Sequence, residues 1–287
     1  MSNTKLNEFI NTYEICDAHA HIFPDKIAEK TISFLSEKGN IPPYSDGTFQ
    51  GLQRALNEVN AYMGIALPVL TRPESFDSIL RFTLQINEGY FKREHDVLSF
   101  AGIHPDCEDI EGKMAQIKTL GFSGIKIHPD YQQTFIDDPK YVRILNAAID
   151  EDLIVVTHAG FDVGYPELTH CTPKRALNAL QKLKGDCKLV FAHCGGCRMH
   201  EEAYELLAGE NVYFDTAYVL PEIGKETFLK ILEKHGADKI LFASDSPWQS
   251  VKICLDILKS YGLKKEIEDK ILYKNAFALL GDKAIRK

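Results

Sequence analysis

The chain has 287 residues, of which 45% are hydrophobic and 26% charged, a composition typical of an ordinary globular protein. Its formal net charge of −8 argues against a nucleic-acid surface or an anionic membrane as a partner. No apolar run approaches the roughly 20 residues that span a bilayer, and the N-terminal segment lacks the pattern of a signal peptide. We therefore expect a cytoplasmic protein whose seven cysteines are reduced thiols.

The first predicted element is a buried strand over residues 13–19, a short apolar run that ends in polar residues before Pro24. Residues 25–60 are longer and more polar than an ordinary crossover between two strands. They contain two helical patterns, at 26–38 and 50–59, and the stretch between these patterns carries the glycines and prolines that are typical of turns. An insertion of this size directly after the first strand could form a lid.

From residue 63 onward, short apolar strands alternate with amphipathic helices. We predict further strands at 63–68, 97–103, 124–129, 153–158, 188–193, 212–215 and 240–245, and helices at 74–93, 110–120, 139–151, 173–184 and 251–259. Eight apolar strands of this kind are typical of a parallel sheet covered on both faces. The sequence thus predicts an α/β fold, a (β/α)8 barrel forming one domain over residues 1–287. An open doubly wound sheet is the alternative, but it would normally carry a glycine-rich phosphate loop after its first strand.

Polar residues recur at the carboxyl ends of the predicted strands. His19 and His21 alternate onto one face of the first strand, where two imidazoles can reach one metal ion. In a closed barrel all strand ends meet at one mouth, and burying so many imidazoles without partners would be costly. The residues that share this position are His19, His21, His104, Lys126, His128, His158, His193 and Asp245.

Several of these residues lie in segments that resemble a known family. CDAHAHIFP, GIKIHP, VVTHAG, FAHCGG, FASDSPW and YKNAFALLG, in this order, resemble the amidohydrolase superfamily and specifically its amidohydrolase-2 branch. The resemblance covers nearly the whole chain. It implies a slightly distorted (β/α)8 barrel that binds one divalent metal ion at its strand ends, usually Zn²⁺ and sometimes Mn²⁺.

The resemblance also implies roles for individual residues. His19, His21, His158 and Asp245 match the metal ligands, and His193 matches a histidine that contacts the bound water or the substrate. Three imidazoles and one carboxylate leave room for a water on zinc, which lowers its pKa from about 15.7 towards 7. We expect Asp245 and His193 to be catalytic, the first by accepting a proton and the second by orienting the water or stabilising an oxyanion.

Five further residues are predicted to contact substrate, and each has a structural alternative. Lys126 is either a contact for a substrate carboxylate, a carbamylated bridge to a second metal, or structural. His104 and His128 precede prolines and could simply end their strands. Arg198 could clamp an anion or lie on the surface, and Trp248 could line the pocket or serve packing.

Two other features of the sequence each have a functional and a structural interpretation. The segment from Cys194 to Cys197 could be a small zinc site or a redox pair, although its glycines more plausibly let the chain leave the strand. Asp17 alternates to the face opposite His19, where it could support that ring or make a backbone bond.

The sequence predicts a metal-dependent hydrolase, in which metal-bound hydroxide attacks a carbonyl of a small, carboxylate-bearing substrate. A nonoxidative decarboxylase of an aromatic or unsaturated acid is the first alternative, since related enzymes use the same ligands. A barrel that only binds a ligand or senses thiol state is the second. A homo-oligomer is compatible with the sequence.

Overall fold

The computed structural model describes residues 15–284. Its strands within this range are short, and each neighbouring pair runs parallel. They are β1 (Cys16–Ala20), β2 (Met63–Ala66), β3 (Asp96–Ser99), β4 (Ala101–Gly102), β5 (Gly124–Ile127), β6 (Ile154–Thr157), β7 (Leu189–Phe191), β8 (Tyr213–Asp215) and β9 (Ile240–Leu241). Residues 13 and 14 of the predicted first strand lie outside the described residues.

Hydrogen bonds join the strands into a ring. The ladders follow the order β1-β2-β3 and β4-β5-β6-β7-β8-β9. Phe100, the residue between β3 and β4, donates its N–H to the carbonyl of Ala66 in β2 at 3.0 Å. Because pairing with β2 continues past the end of β3, β3 and β4 are two halves of one barrel strand. On the other side, the Ala18 N–H donates to the Phe242 carbonyl at 2.9 Å and links β1 to the segment after β9. The predicted α/β fold, a distorted (β/α)8 barrel, is confirmed.

Helices surround these strands. They are α1 (Asp25–Gly39), α2 (Phe49–Glu58), α3 (Phe76–Glu88), α4 (Ile110–Thr119), α5 (Pro139–Asp150), α6 (Pro173–Leu180), α7 (His200–Leu206), α8 (Leu220–Ile223), α9 (Lys225–His235), α10 (Val251–Ser260), α11 (Lys265–Asp269) and α12 (Asn275–Leu280). Several begin where the sequence supplies a capping oxygen: the side chains of Thr48, Asp138, Thr172 and Ser250 each accept a backbone N–H of the first turn. No helix among the described residues is both long and apolar enough to cross a membrane.

Two predicted helices are shorter than expected. The helix predicted at 74–93 ends at Glu88, because Gly89 adopts a left-handed conformation (φ 84°) and its N–H closes the last turn. The helix predicted at 173–184 ends at Leu180, and the Lys184 N–H bonds to the side chain of Asn146 instead of continuing the helical ladder. The other predicted helices agree with the structure to within about two residues.

The inside of the barrel is apolar below the strand ends. Ala18, Ile65, Phe100, Val156 and Leu241 line a small internal cavity together with residues of α12. Side chains alternate along a strand, so His158 follows Val156 on the same face, one layer nearer the carboxyl end. The polar site therefore starts directly above an apolar floor.

The insertion after β1 contains the two predicted helices as α1 and α2. It contacts loops that follow other strands: the Tyr44 N–H donates to the Pro247 carbonyl at 2.7 Å, and Lys38 Nζ lies 3.3 Å from the centroid of the Tyr165 ring. The insertion thus lies beside the carboxyl ends of β6 and β9. Its action as a lid stays a prediction.

Candidate metal centre and its surroundings

Three of the predicted ligands come together at the carboxyl ends of β1 and β9. His19 Nε2 lies 3.2 Å from His21 Nε2, and Asp245 Oδ1 lies 3.4 Å and 3.1 Å from these two atoms. At metal–ligand distances of about 2.0–2.1 Å, neighbouring ligands of a tetrahedral ion lie about 3.3 Å apart. The three atoms therefore match three corners of a tetrahedral metal shell; we call His19, His21 and Asp245 the first group.

Hydrogen bonds fix which ring nitrogens face this point. His19 Nδ1 donates to Asp215 Oδ2 at 2.8 Å, and His21 Nδ1 donates to the Leu67 carbonyl at 2.7 Å. A neutral imidazole has one N–H, so both Nε2 atoms present lone pairs. Burial, followed by the nearby Lys126 charge, holds the pKa of His19 well below its usual range. The neutral ring is the form that binds a metal.

Lys126 is a buried cation beside the first group. Its Nζ lies 3.1 Å from His19 Nε2, and its side chain is almost fully enclosed. Burial lowers the pKa of Lys126 to about 8, while the charges of Asp215 and Asp245 act in the opposite direction. The carboxylates of Asp215 and Asp245 thus oppose the effect of burial and favour the charged form of Lys126.

The backbone at Asp245 is held in an uncommon conformation. Asp245 has φ 72°, in the left-handed region, and its N–H donates to the His19 carbonyl at 2.8 Å. His193 has φ 61° in the loop after β7. The left-handed conformation costs a non-glycine residue about 1–3 kcal/mol. It persists where the surrounding structure holds the backbone in place, often at a functional site.

Asp215, which sequence reasoning did not single out, orients the first group. It is the last residue of β8 and is fully buried. One carboxylate oxygen accepts the His19 ring N–H, and the other accepts the backbone N–H of His193 at 2.9 Å. Burial raises the pKa of Asp215, and the nearby His193 opposes this shift. The signal was available, because Asp215 is another polar residue at the end of a predicted strand.

His158 and His193 lie next to the first group but bond to each other. His193 Nε2 is 2.9 Å from His158 Nδ1, and His193 Nδ1 is 2.9 Å from the Ala217 carbonyl. The His193 ring centroid is 5.7 Å from that of His19. His158 Nε2 faces Asp130 and Asp162, so the structure does not bring it to the same point as His19, His21 and Asp245. Its role as a ligand of that ion stays a prediction.

A second cluster of possible ligands surrounds His158. The His128 ring stacks on the His158 ring, with centroids 4.3 Å apart and planes 8° apart. Asp162 Oδ2 lies 3.5 Å from His128 Nε2 and 3.9 Å from His158 Nε2. We call His128, His158 and Asp162 the second group. Sequence reasoning missed Asp162 and Asp130, because both lie in loops and neither ends a strand.

The other predicted substrate contacts lie farther out. His104 Nδ1 accepts the Asp106 N–H at 3.1 Å; burial lowers the pKa of His104, and the charges of Asp106 and Glu74 oppose this shift. Arg198 makes two bonds to Glu222, at 3.0 and 3.1 Å, with about half of its side chain exposed. Trp248 is partly buried, and its backbone N–H donates to the Asp245 carbonyl at 2.8 Å. Substrate contact by His104, Arg198 and Trp248 stays a prediction.

Asp17 makes backbone and hydroxyl bonds. Its carboxylate accepts the Ser244 N–H at 2.8 Å and the Ser244 hydroxyl at 2.6 Å. These bonds tie β1 to the segment that carries Asp245. Asp17 was expected either to support the His19 ring or to accept a backbone bond, and the structure shows the backbone bond.

Cys194 and Cys197 are both buried, free thiols. Burial raises the pKa of Cys197 to about 12 and also raises that of Cys194, so both remain protonated and unreactive near neutral pH. Within residues 15–284, neither joins a group of three potential metal ligands. Gly160 explains the close packing here, since a Cβ on it would lie 2.1 Å from the Cys197 nitrogen.

Comparison with known proteins identifies the family. The amidohydrolase-2 family model, described as "Amidohydrolase", matches residues 16–281. The chain belongs to the amidohydrolase family. Enzymes of this family bind a divalent metal, and the first group offers suitable ligands. No curated protein matches the chain in sequence.

Solved structures of similar fold include several enzymes. 5-Carboxyvanillate decarboxylase from Sphingomonas paucimobilis has 14% identity and a TM-score of 0.67, with 94% of this chain and 99% of that chain covered. A probable 2-pyrone-4,6-dicarboxylic acid hydrolase from Acinetobacter baumannii has 17% identity and a TM-score of 0.67, covering 93% and 99%. A dihydroxybenzoic acid decarboxylase from Polaromonas, solved with manganese and the inhibitor 2-nitroresorcinol, has 15% identity and a TM-score of 0.68, covering 96% and 100%. At these identities the likeness establishes the fold.

Proposed function

We propose that this amidohydrolase is a metal-dependent hydrolase that adds water to a carbonyl of a small, carboxylate-bearing molecule. The observation that carries the proposal is the first group, in which two fixed imidazole lone pairs and a carboxylate oxygen converge beside a buried ammonium. Packing alone gives no reason for these buried groups to converge at one point.

The first group would hold the ion, with His19, His21 and Asp245 as ligands. A divalent ion there would supply a Lewis acid that polarises a carbonyl and makes a water more acidic. We propose Zn²⁺ first, because the ligand separations match a tetrahedral shell, and Mn²⁺ second, because imidazole and carboxylate also suit it. The manganese in the structure from Polaromonas supports a divalent ion of this kind.

Lys126 would bind the substrate carboxylate. Its ammonium is buried next to His19, where low solvent access strengthens its attraction to an anion. The carbamylated form considered from the sequence would remove this charge, and we therefore propose substrate contact.

Asp245 and His193 would transfer protons in the proposed reaction. Asp245 Oδ1 belongs to the first group, so the other oxygen of this carboxylate, Oδ2, would accept a proton from water. His193 Nδ1 is committed to the Ala217 carbonyl, which leaves Nε2 as the ring position able to take a proton. That lone pair faces His158 Nδ1 in the structure.

The same site supports a second candidate, nonoxidative decarboxylation. Two of the similar structures named above are decarboxylases of aromatic acids. The side chains of His19 and Lys126 are almost fully enclosed, and loss of carbon dioxide is favoured where a carboxylate is poorly solvated. In that reaction an acid of the protein would protonate the carbon.

The remaining proposals concern the cellular location of the protein and the kind of molecule that it binds. Seven free cysteines support a cytoplasmic location. The net charge of −8 supports a small-molecule substrate over nucleic acid or an anionic membrane as partner.

One experiment separates the two reactions. The metal-loaded protein is incubated in heavy-oxygen water with aromatic and unsaturated carboxylic acids, and with lactones and amides that carry a carboxylate. Hydrolysis predicts heavy oxygen in the product and no carbon dioxide, whereas decarboxylation predicts carbon dioxide. Turnover that survives both chelation and His19→Ala would contradict metal dependence altogether.

A further inference from the structure

The side chains of the first group are almost closed to solvent. His19 is 1% exposed, His21 12% and Asp245 11%, and Lys126 beside them is 1% exposed. A carboxylate-bearing molecule that contacts both the ion and Lys126 has several non-hydrogen atoms, which do not fit through openings of this size. Part of the chain must therefore move before a substrate reaches the first group.

The insertion after β1 extends to the opposite side of the barrel. In the ring of strands, β6 lies four strands from β1 in either direction, when β3 and β4 are counted as one. α1 starts just after β1 and ends at Gly39, where a Cβ would lie 3.0 Å from Val163 Cγ2 in the loop after β6. Because both segments leave the carboxyl ends of their strands, their contact closes over the mouth that contains the first group.

Lys38 joins the end of α1 to the loops on the far side. Its Nζ lies 3.3 Å from the centroid of the Tyr165 ring and 5.4 Å from that of Tyr131, a cation–π arrangement. The two tyrosine rings meet edge to face with centroids 4.9 Å apart, and the Tyr131 ring meets the His128 ring in the same way at 4.5 Å. The ammonium of Lys38 is thus linked by ring contacts to the residue that follows β5.

The rest of α1 is weakly held. Only Ala28 and Ile32 of its fifteen residues are buried, whereas α2 buries five of its ten. Ile27 and Phe34, seven residues apart on one face of the helix, remain 50% and 61% exposed. A segment that buries so little apolar surface opens at a low cost in free energy. α1 can therefore separate from the barrel while α2 stays in place.

We propose that α1 is a gate over the first group, and that the contacts of Lys38 with Tyr165 and of Gly39 with Val163 form its latch. With the latch closed, α1 and the loop after β6 exclude water from the bound substrate. With the latch open, substrate enters and product leaves. The inference concerns access, so it holds for hydrolysis and for decarboxylation alike. It rests on the proposed function only in that the ligand binds at the first group.

A disulfide across the latch tests the gate directly. Gly39→Cys combined with Val163→Cys places two Cβ atoms at about the 3.5–4.5 Å that a disulfide requires. The zinc-loaded double variant is mixed with excess chelator, and the rate of zinc loss is measured before and after oxidation. We expect oxidation to slow zinc loss about tenfold or more, and reduction to restore it. The oxidised wild type is the control, since its seven cysteines are free. Equal rates in the oxidised and reduced double variant would overturn the proposal.

The latch itself is tested without metal or substrate, by hydrogen exchange of α1 in the full-length, metal-free protein. Lys38→Met keeps the length of the side chain and removes its charge. Because an exposed cation–π contact is worth a factor of about 2–5, we expect the α1 amides to exchange about 2–5-fold faster, while those of α2 are unchanged. Tyr165→Leu should have at least this effect, and adding Lys38→Met to it should have little further effect. Lys30→Met, at an exposed lysine of the same helix, is the matched control and should exchange as the wild type does. Wild-type exchange in both Lys38→Met and Tyr165→Leu would overturn the proposed latch.

Neither measurement requires turnover, so the gate and the proposed function can fail separately. A protein that passes both tests and hydrolyses nothing would support the gate while removing the proposed function. A hydrolase whose oxidised Gly39→Cys, Val163→Cys variant turns over as fast as the reduced one would keep the function and remove the gate.

Discussion

The first and second groups contain the same kinds of ligand but differ in how firmly these are held. In the first group the ligand atoms lie 3.1–3.4 Å apart, and both rings are fixed through Nδ1 by Asp215 and Leu67. In the second group Asp162 Oδ2 lies 3.5 Å from His128 Nε2 and 3.9 Å from His158 Nε2, and Asp162 comes from a loop. The comparison indicates that strand ends and buried partners preorganise the first group, whereas the loop residue Asp162 leaves the second group more widely spaced. We therefore expect the first group to bind a metal ion with little rearrangement of its ligands.

Removal of a ligand from the first group should have the largest effect. His21→Ala deletes one of three converging ligand atoms and leaves the core intact, because His21 lies beyond the end of β1. We expect loss of the bound ion and a fall in turnover of about 1,000-fold or more, since the metal supplies the main electrostatic stabilisation. Elemental analysis and turnover measure this.

His95→Ala is the control, since that ring bonds to Ala61 and Asn57 away from both groups. Its metal content should match that of the wild type. If His21→Ala kept both its tightly bound ion and its turnover, the assignment of the first group would be wrong.

Asp215→Asn tests whether preorganisation explains the difference between the groups. The amide no longer offers a charged acceptor to His19 Nδ1, so the ring loses its fixed tautomer and orientation. We expect an affinity for the metal ion about 10–100-fold lower. Titration against a chelator of known affinity measures the binding constant, and an affinity equal to that of the wild type would show that Asp215 does not preorganise the first group.

Lys126→Met should weaken substrate binding without removing the first ion. Loss of a buried charge partner for a carboxylate typically costs about 1.5–3 kcal/mol, which corresponds to a rise in KM of about 10-fold or more. Metal content should stay at the wild-type value because Lys126 is no ligand in the proposed site. If metal content and turnover were lost together, the carbamylated form of Lys126 would become the better explanation.

The smallest expected effect concerns the pH dependence of stability and involves His235, which lies outside both groups. Burial, followed by the nearby Lys239 charge, lowers the pKa of His235 to about 4, and its ring stacks on Phe214 with centroids 4.0 Å apart. The unfolded chain binds a proton near pH 6.5, whereas the folded chain does so only near pH 4. The contribution to stability is therefore complete above pH 6.5 and declines as the pH falls towards 4.

Between pH 7 and 5.5, we expect His235 to account for a loss of about 1 kcal/mol in the free energy of unfolding. Urea denaturation of the metal-free wild type and of His235→Gln at both pH values measures this contribution, because the glutamine does not titrate. The same acid sensitivity in both proteins would contradict the assignment.

Much of the fold and part of the site follow from sequence alone. Apolar runs mark the strands, and the period-two alternation places His19 and His21 on one face. The barrel then brings the distant Asp245 to them, as the strand-end pattern predicts. Capping residues such as Asp138 and Thr172 likewise mark helix starts that the structure confirms.

The rest depends on information that a linear pattern does not carry. The direction of the His158 ring is set by a bond to His193 and, through it, by the Ala217 carbonyl, 59 residues away in the chain. Asp162 lies in a loop, where no periodicity marks it. Arg198 reads as a free cation in the sequence, but its guanidinium is taken up by Glu222.

The central claim is that His19, His21 and Asp245 hold the catalytic ion. Anomalous diffraction at the zinc and manganese edges, from crystals grown with each metal, tests it most directly. The account predicts a peak about 2.0–2.2 Å from both Nε2 atoms and from a carboxylate oxygen of Asp245. No peak at this point, or a peak held instead by Cys194 and Cys197, would contradict it.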